Sequence, residues 1–367
     1  MNRADFLVVG GGIAGLSAGA ALARHGKVVV FEAEESLGVH SSGRSATFSH
    51  YGIGNGPVRA LTRWSRPHFG EGVARPAPAL FFATEEMLPA LEQLEAEMAR
   101  FTSDLRRVAE NEMRALFPPL RTGAGAAVAG CFYPDGLRLD SDAMLQGHAR
   151  HVRAAGGLVL TGERIAAIEP AWTVATAGER WTAPVLVNAA GAWADRIAQV
   201  AGVRPLGLAP LRRTIVVIDP PEAADVRSWP FVKSAVDDFY ILPESGRLAA
   251  SPVDEVPCEP CDAQPEDYDV ALAAWKVEQY TTLPVARIVH RWAGLRTFAR
   301  DRVPVAGFAP DAPGFFWLAG QGGYGLQTAP AMAAITESLA TGGRWPEGLA
   351  ELGAGPAEVG TDRLFAG

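Results

Sequence analysis

The stretch "VVGGGIAGLSAGAALARHGKVVVFEAE", Val8 to Glu34, decides the fold. The apolar run Phe6–Val9 reads as a buried parallel strand. Gly10, Gly12 and Gly15 follow as G-x-G-x-x-G. The first glycine permits a tight turn, the second lets backbone approach a pyrophosphate, and the third lets helix pack closely on strand. A small-residue helix is expected over Ala14–Arg24, ending at His25-Gly26. Its N-terminal amides, from Ile13 and Ala14 onward, suit a phosphate. Val28–Phe31 is the second strand. Glu32 stands at its end, 17 residues after Gly15, placed to accept ribose hydroxyls. Strand, glycine loop, helix, strand and acid together predict a bound dinucleotide.

The rest of the chain chooses which dinucleotide. After Glu32 comes "ESLGVHSSGRSATFSHYG", where a nicotinamide enzyme would normally continue into another βα unit. Far downstream, "VLVNAAGAWAD" (Val185–Asp195) is a buried strand ending in small residues. "GFFWLAGQGGYGLQTAPAMAAITESLA" (Gly314–Ala340) repeats strand, glycine loop and helix. Three strand ends spread along the chain suit a long extended ligand, which points to FAD.

Composition sets outer bounds. The chain has 367 residues and a formal charge of −8, enough length for about two domains and the wrong sign for a nucleic-acid surface. No apolar run reaches the ~18 residues of a membrane span. "MNRADFLVVGGG" enters a strand almost at once, leaving no room for a signal peptide. Three cysteines argue against a disulfide-stapled secreted protein. The expectation is a cytoplasmic enzyme, or one peripheral at the inner membrane.

At this point a resemblance is plain. "DFLVVGGGIAGLSAG", "HSSGRSA", "VLVNAAGAWADRIAQVAGVRPLGL", "WAGLRTF" and "QGGYGLQT" resemble the D-amino-acid oxidase/dehydrogenase superfamily of flavoproteins, of the glycine-oxidase and sarcosine-oxidase type. "GLRTFARDRVPVAG" fits its G-x-R-x4-D-x2-P-x2-G pattern at Gly294, Arg296, Asp301, Pro304 and Gly307. Within the superfamily the chain looks most like bacterial D-arginine dehydrogenases. The resemblance runs from Asp5 to Ala340. It implies an α/β fold: a discontinuous Rossmann-like FAD domain (1–78, 140–203, 297–345) beside a mostly antiparallel α+β substrate domain (79–139, 204–296). The tail 346–367 reads as irregular. It also implies non-covalent FAD held by Ser41, Ser42, Arg44, Ser45, Ala46, Ala189, Ala190, Gly191, Trp193, Gly322, Gly323, Tyr324, Gly325 and Gln327.

Oxidising an amino acid's Cα–N bond requires a carboxylate clamp, a neutral amine, placement of Cα at the flavin, and positive potential beside the ring. The cofactor carries the electron chemistry and the protein supplies placement. Arginine suits the clamp because its fork donates two parallel bonds. Arg296 matches the superfamily's carboxylate-binding arginine. Arg213 matches a second; its neighbour Arg212 should face the other way on a strand. Tyr240 matches a substrate-binding tyrosine, and the Gly323 carbonyl would accept from the amine. Phe48 and Ile53 stand where D-arginine dehydrogenase has a histidine and a tyrosine, which leaves His50 as a nearby substitute base. Ala79 replaces its guanidinium-binding glutamate, so basic side chains are disfavoured. Phe231 and Lys233 share a strand face. Lys233 either reaches solvent, leaving an apolar slot, or points inward and favours an acidic side chain.

"FYILPESGRLAAS" reads as a hairpin turning at Pro-Glu-Ser-Gly. Cys258 and Cys261 in "PCEPC" lack the further ligands a structural zinc needs, and the surrounding composition reads as a mobile loop. No metal is expected. The expected partners are an amino-acid substrate and an electron acceptor, quinone or O2. The alternative reading is a 2-hydroxy-acid or secondary-amine oxidoreductase, because one fold hosts both chemistries.

Overall fold

The computed structural model describes residues 2–222 and 224–365; of the expected tail, 366 and 367 lie outside the described residues. The Phe6–Val9 strand is buried throughout. It pairs in parallel with Val28–Phe31 on one side and Val185–Asn188 on the other. Val185–Asn188 in turn pairs with Phe315–Ala319. With Leu158–Leu160 and Val305–Phe308 at the edges, these strands make a six-stranded sheet. Only the last pairing, Val305–Phe308 with Phe315–Ala319, is antiparallel. Strands buried on both faces read as unbroken apolar runs, which is why they were legible.

The first helix is Ile13–Leu22, which begins one residue before the expected range and ends two residues short of it. Its small residues let it lie close to the sheet. A Cβ on Gly19 would sit 3.1 Å from Val30 and 3.5 Å from Val152, which lies on the Ser141–Ala154 helix. That second helix is capped at its start by the Asp140 carboxylate, which accepts from Ala143 N at 2.9 Å. The final helix, Gly325–Ala340, packs beside the first.

A nine-stranded, mostly antiparallel sheet covers the opening of this layer. Its strands include Ala79–Ala83, Ala209–Ile218, Phe231–Ser234, Tyr240–Glu244, Arg247–Ser251 and Ile288–Phe298. Alternation sorts its two faces. Ala79, Phe81, Ile215, Phe231, Tyr240 and Leu242 join the main core toward the six-stranded sheet. Leu80, Phe82, Val216, Val232 and Ile241 face outward and are covered by Val270, Ala273 and Val277 of the Asp267–Tyr280 helix. Each such apolar side chain contributes roughly 1.5–3 kcal/mol by leaving water.

Two expectations shift. The hairpin turns at Ser245-Gly246, with φ of 52° and 79°, and Pro243 remains in the strand opposite Leu248. Two positive φ values match the right-handed strand twist, and Ser-Gly adopts them where Pro cannot. The tail is only partly irregular. Pro356–Val359 and Asp362–Phe365 form single helical turns, and Arg363 Nε bonds Asp301 at 2.6 Å.

The tightest contact in the first βαβ unit generates a prediction. A Cβ on Gly15 would lie 2.0 Å from the Gly10 carbonyl oxygen. Gly15→Ala is therefore expected to cost about 1–3 kcal/mol or more through overpacking, read as a lower urea midpoint; an unchanged midpoint would show that the loop yields freely.

Candidate active site

At the C-terminal ends of the parallel strands, where open α/β sheets bind ligands, a cleft runs between the two sheets. Gly10, Gly12, Ile13, Ala14 and Glu32 line it, together with Ala189, Ala190, Gly191 and Trp193 and with Gly322, Gly323 and Gly325. The three strand ends read from sequence thus border one cavity. Gly10 is held at φ 115°, and a Cβ there would meet Ala189 O at 2.4 Å. Among the described residues the Gly12 N–H has no hydrogen-bond partner, which leaves a bare donor on the cleft wall. Glu32 is fixed by backbone: Oε2 accepts from Gly11 N at 2.6 Å and Oε1 from Glu34 N at 2.9 Å. A carboxylate so held keeps lone pairs for hydroxyls. A bare glycine loop, a helix N-terminus and this acid fit an extended dinucleotide.

The "HSSGRSA" segment also borders the cleft, with Ser41, Ser42, Arg44, Ser45 and Ala46 all lining it. Most of their polar atoms are used structurally. Ser42 Oγ accepts from Ile13 N at 3.0 Å, and Ser41 Oγ donates to Leu295 O at 2.6 Å. Ser45 Oγ accepts from Thr47 N at 3.1 Å. Arg44 bonds Ala263 O at 2.9 Å and Ala293 O at 3.0 Å, and pairs with Asp262. Arg44 therefore fastens the "PCEPC" loop. That loop is anchored rather than mobile: Glu259 pairs with Arg196 at 2.9 Å, and Cys258 N bonds Pro210 O at 3.0 Å. Its two free thiols stand 3.5 Å apart.

Three residues expected at the cofactor lie behind the cleft instead. Gly15 is the packing glycine already described. Gln327 is buried, accepting from His50 N at 3.3 Å and donating to Thr62 Oγ1 at 2.9 Å. Tyr324 is buried against Phe298 and Val58. Both side chains leave the final helix on its packed side. Gln321 and Leu326, which do line the cleft, were missed; they flank the glycines that were read, and only a side-chain direction would have found them.

On the covering sheet, Leu211 opposes Arg296 and Arg213 opposes Gly294. Residues facing each other across antiparallel strands share a face, so Arg213 and Arg296 share one, and both line the cleft. Arg212 points away, to Asp269 at 2.9 Å. Arg213 Nε donates to Asp254 O at 2.7 Å, and its terminal nitrogen pairs with Glu255 at 3.2 Å. Burial first, and the neighbouring Arg296 charge second, bring Arg213 down to about 10, so it stays cationic at neutral pH. Arg296 has no hydrogen bond or ion pair among the described residues. Its guanidinium packs on Gly323, where a Cβ would come within 2.9 Å of Cζ. The buried Tyr240 hydroxyl is likewise unpartnered. An unpaired cation and an orphaned hydroxyl on one sheet face require a polar partner of their own.

Beyond Tyr240 lies an aromatic group. Phe231 stacks near Phe48 at 4.8 Å, His50 at 5.0 Å and Tyr240 at 5.4 Å between ring centroids. Ile53 is not among them and packs instead with Val58, Phe298 and Tyr324. Ala79 is fully buried in the strand beside Phe231. His50 is not the substitute base that its place beside Phe48 and Ile53 suggested. Its Nδ1 accepts from Gly52 N at 3.0 Å, which places the proton on Nε2 and leaves a donor, not a base. Burial first, and the Lys233 charge second, push it down to about 3.

The comparisons agree with this architecture. The profile of the FAD dependent oxidoreductase family, DAO, matches residues 5–339; the chain belongs to that family and is an FAD-dependent oxidoreductase. It is 25% identical over 251 residues to the uncharacterized oxidoreductase YurR of Bacillus subtilis, covering 65% of this chain and 63% of that protein. It is 26% identical over 246 residues to the mitochondrial L-2-hydroxyglutarate dehydrogenase of Bos taurus, covering 59% and 52% respectively. Glycine oxidase from Geobacillus kaustophilus superposes with a TM-score of 0.82 at 21% identity, over 97% of this chain and 99% of that one.

Two outcomes follow from the site. Among the described residues no cysteine lines the cleft, so the flavin is expected in the supernatant after acid or heat denaturation; colour retained in the precipitate would mean a covalent link. His50 has a folded-state pKa below its unfolded value, so the unfolded chain binds more protons as pH falls from about 6.5 toward 3, and stability is lost across that window. His50→Gln should lose less thermal stability than the parent between pH 7 and pH 5. Parallel losses in both would assign the acid sensitivity elsewhere.

Proposed function

We propose that this protein is an FAD-dependent D-amino-acid dehydrogenase or oxidase, producing an imino acid that water converts to a 2-oxo acid and ammonia. The observation that carries the reading is Arg296: a guanidinium without a partner among the described residues, on the cleft wall beside Gly323. A fork of donors held ready in a concave site is complementary to a carboxylate. When bound, FAD supplies the acceptor for the electron pair. The chain does the placing. Arg296 fixes the carboxylate, Arg213 adds positive potential, and the Tyr240 hydroxyl supplies the remaining polar contact. The Gly323 carbonyl accepts from the amine. No side chain on this face is required as a base, since an amine that sheds its proton to water before binding is ready to react.

The D configuration rests on the resemblance at Arg213 and Tyr240. Ala79 brings no carboxylate to a cationic side chain, and Lys233 shares the sheet face with Phe231, so basic D-amino acids are expected to be poor substrates. A second reading, oxidation of a 2-hydroxy acid, is favoured by the similarity to L-2-hydroxyglutarate dehydrogenase. Anaerobic reduction of the bound flavin by panels of D-amino acids, L-amino acids and 2-hydroxy acids separates the readings: bleaching by D-amino acids alone is the expected result.

Arg296→Met should retain FAD while kcat/KM falls. Losing one side of a desolvated charge pair costs roughly 2–5 kcal/mol, and at about 1.4 kcal/mol per tenfold this is about thirty- to four-thousand-fold. A variant within threefold of the parent would place the carboxylate elsewhere.

A further inference from the structure

The turn that joins Phe231–Ser234 to Tyr240–Glu244 carries a charge pair of unequal exposure. Lys233 stands opposite Tyr240 across the strands and is only 4% exposed, so it points inward rather than reaching solvent. A buried ammonium has to be paired. Its Nζ lies 3.1 Å from Asp237 Oδ1 and 3.2 Å from the Gly52 carbonyl oxygen. Asp237 is four residues on, at φ 58°, a left-handed conformation that aspartate tolerates better than most residues. Its side chain is 55% exposed. The cation is sealed beneath the turn and the anion is open above it. Burial alone would raise Asp237, but Lys233, and after it Arg213 and Arg296, hold it below the ordinary carboxylate range.

Charges on this side of the sheet nearly balance. Arg302 pairs with Glu255 at 2.6 Å, and Arg213 shares that carboxylate at 3.2 Å. Asp254 lies 3.9 Å from Arg213, and Asp237 answers Lys233. Arg296 is the cation left over, which matches one carboxylate on the substrate. A second carboxylate would meet an occupied ammonium and a repelling Asp237.

We propose that Asp237 determines substrate specificity: its carboxylate fills the anion subsite built by Lys233, which restricts the pocket to substrates bearing a single carboxylate, and its removal opens that subsite to a second one. This rests on the reading of Arg296 as the carboxylate clamp. It also changes the consequence of an inward Lys233. The inward lysine is already answered within the chain, so the favoured side chain is neutral rather than acidic.

The test uses FAD-loaded protein at pH 7 and two unreactive probes, propionate and glutarate, titrated while the visible flavin spectrum is followed. The parent should bind propionate more tightly than glutarate. Asp237→Ala should tighten glutarate tenfold or more and leave propionate within threefold. Adding Lys233→Met should cancel the gain. Asp237→Asn, which keeps an oxygen for the ammonium, is the second variant should alanine disturb the turn, and should move glutarate in the same direction. Propionate bound by the parent with no gain for glutarate in either Asp237 variant overturns this proposal alone, as does a gain that survives Lys233→Met. A parent that binds neither probe overturns the clamp reading, and this proposal with it.

Discussion

The structure depends on how closely the end of the first strand approaches the end of a strand some 180 residues away. With Gly10 at φ 115°, its missing Cβ leaves space for the Ala189 carbonyl, which a methyl would meet at 2.4 Å. Hydrogen bonds from Val185–Asn188 to both Phe6–Val9 and Phe315–Ala319 then set three loop openings side by side. The cleft, the helix N-termini that border it and the position of the covering sheet all follow from that juxtaposition. A side chain at Gly10 would push these neighbouring strands away from each other before it touched any ligand.

The covering sheet then works as an electrostatic surface. Burying arginines and a lysine on one face is tolerable because each charge but one is answered locally. Glu255 serves both Arg213 and Arg302, and Asp237 serves Lys233. The exception, Arg296, is only partly buried and rests on a glycine instead of a carboxylate. The site is preorganised in the sense that this guanidinium, without a counterion among the described residues, already lines the cleft, so an anionic ligand bound there would displace none.

Much of this was legible in sequence because it is local. Glycine spacing, apolar runs and an acid at a strand end are features of neighbouring residues, and alternation alone put Arg213 and Arg212 on opposite faces. What failed depended on partners far along the chain. Gln327 and Tyr324 sit in a glycine-rich motif, yet their side chains leave the helix on its packed side, toward Thr62 and Phe298. His50 read as a substitute base, but the Gly52 amide takes its Nδ1 and the Phe231 ring packs against it. Lys233 could be given two directions but no counterion, because Asp237 becomes one only when its backbone turns to positive φ. No period in the sequence records that turn.

The distribution of the cleft along the chain has a kinetic corollary. Its walls come from residues near 10, 40, 190, 295 and 323, so no contiguous stretch of the chain presents the whole cleft. Contacts of such long sequence separation form late and slowly. The cofactor therefore meets a finished architecture rather than nucleating one, and the apoprotein must be stable enough to wait for it. Once loaded, a ligand that binds only the native state lowers its free energy in proportion to the logarithm of free ligand over Kd. Because the cleft is bordered by strand ends from all three distant segments, opening any one of them loses the whole of that gain. Retained flavin colour is thus a report on the integrity of all three segments at once.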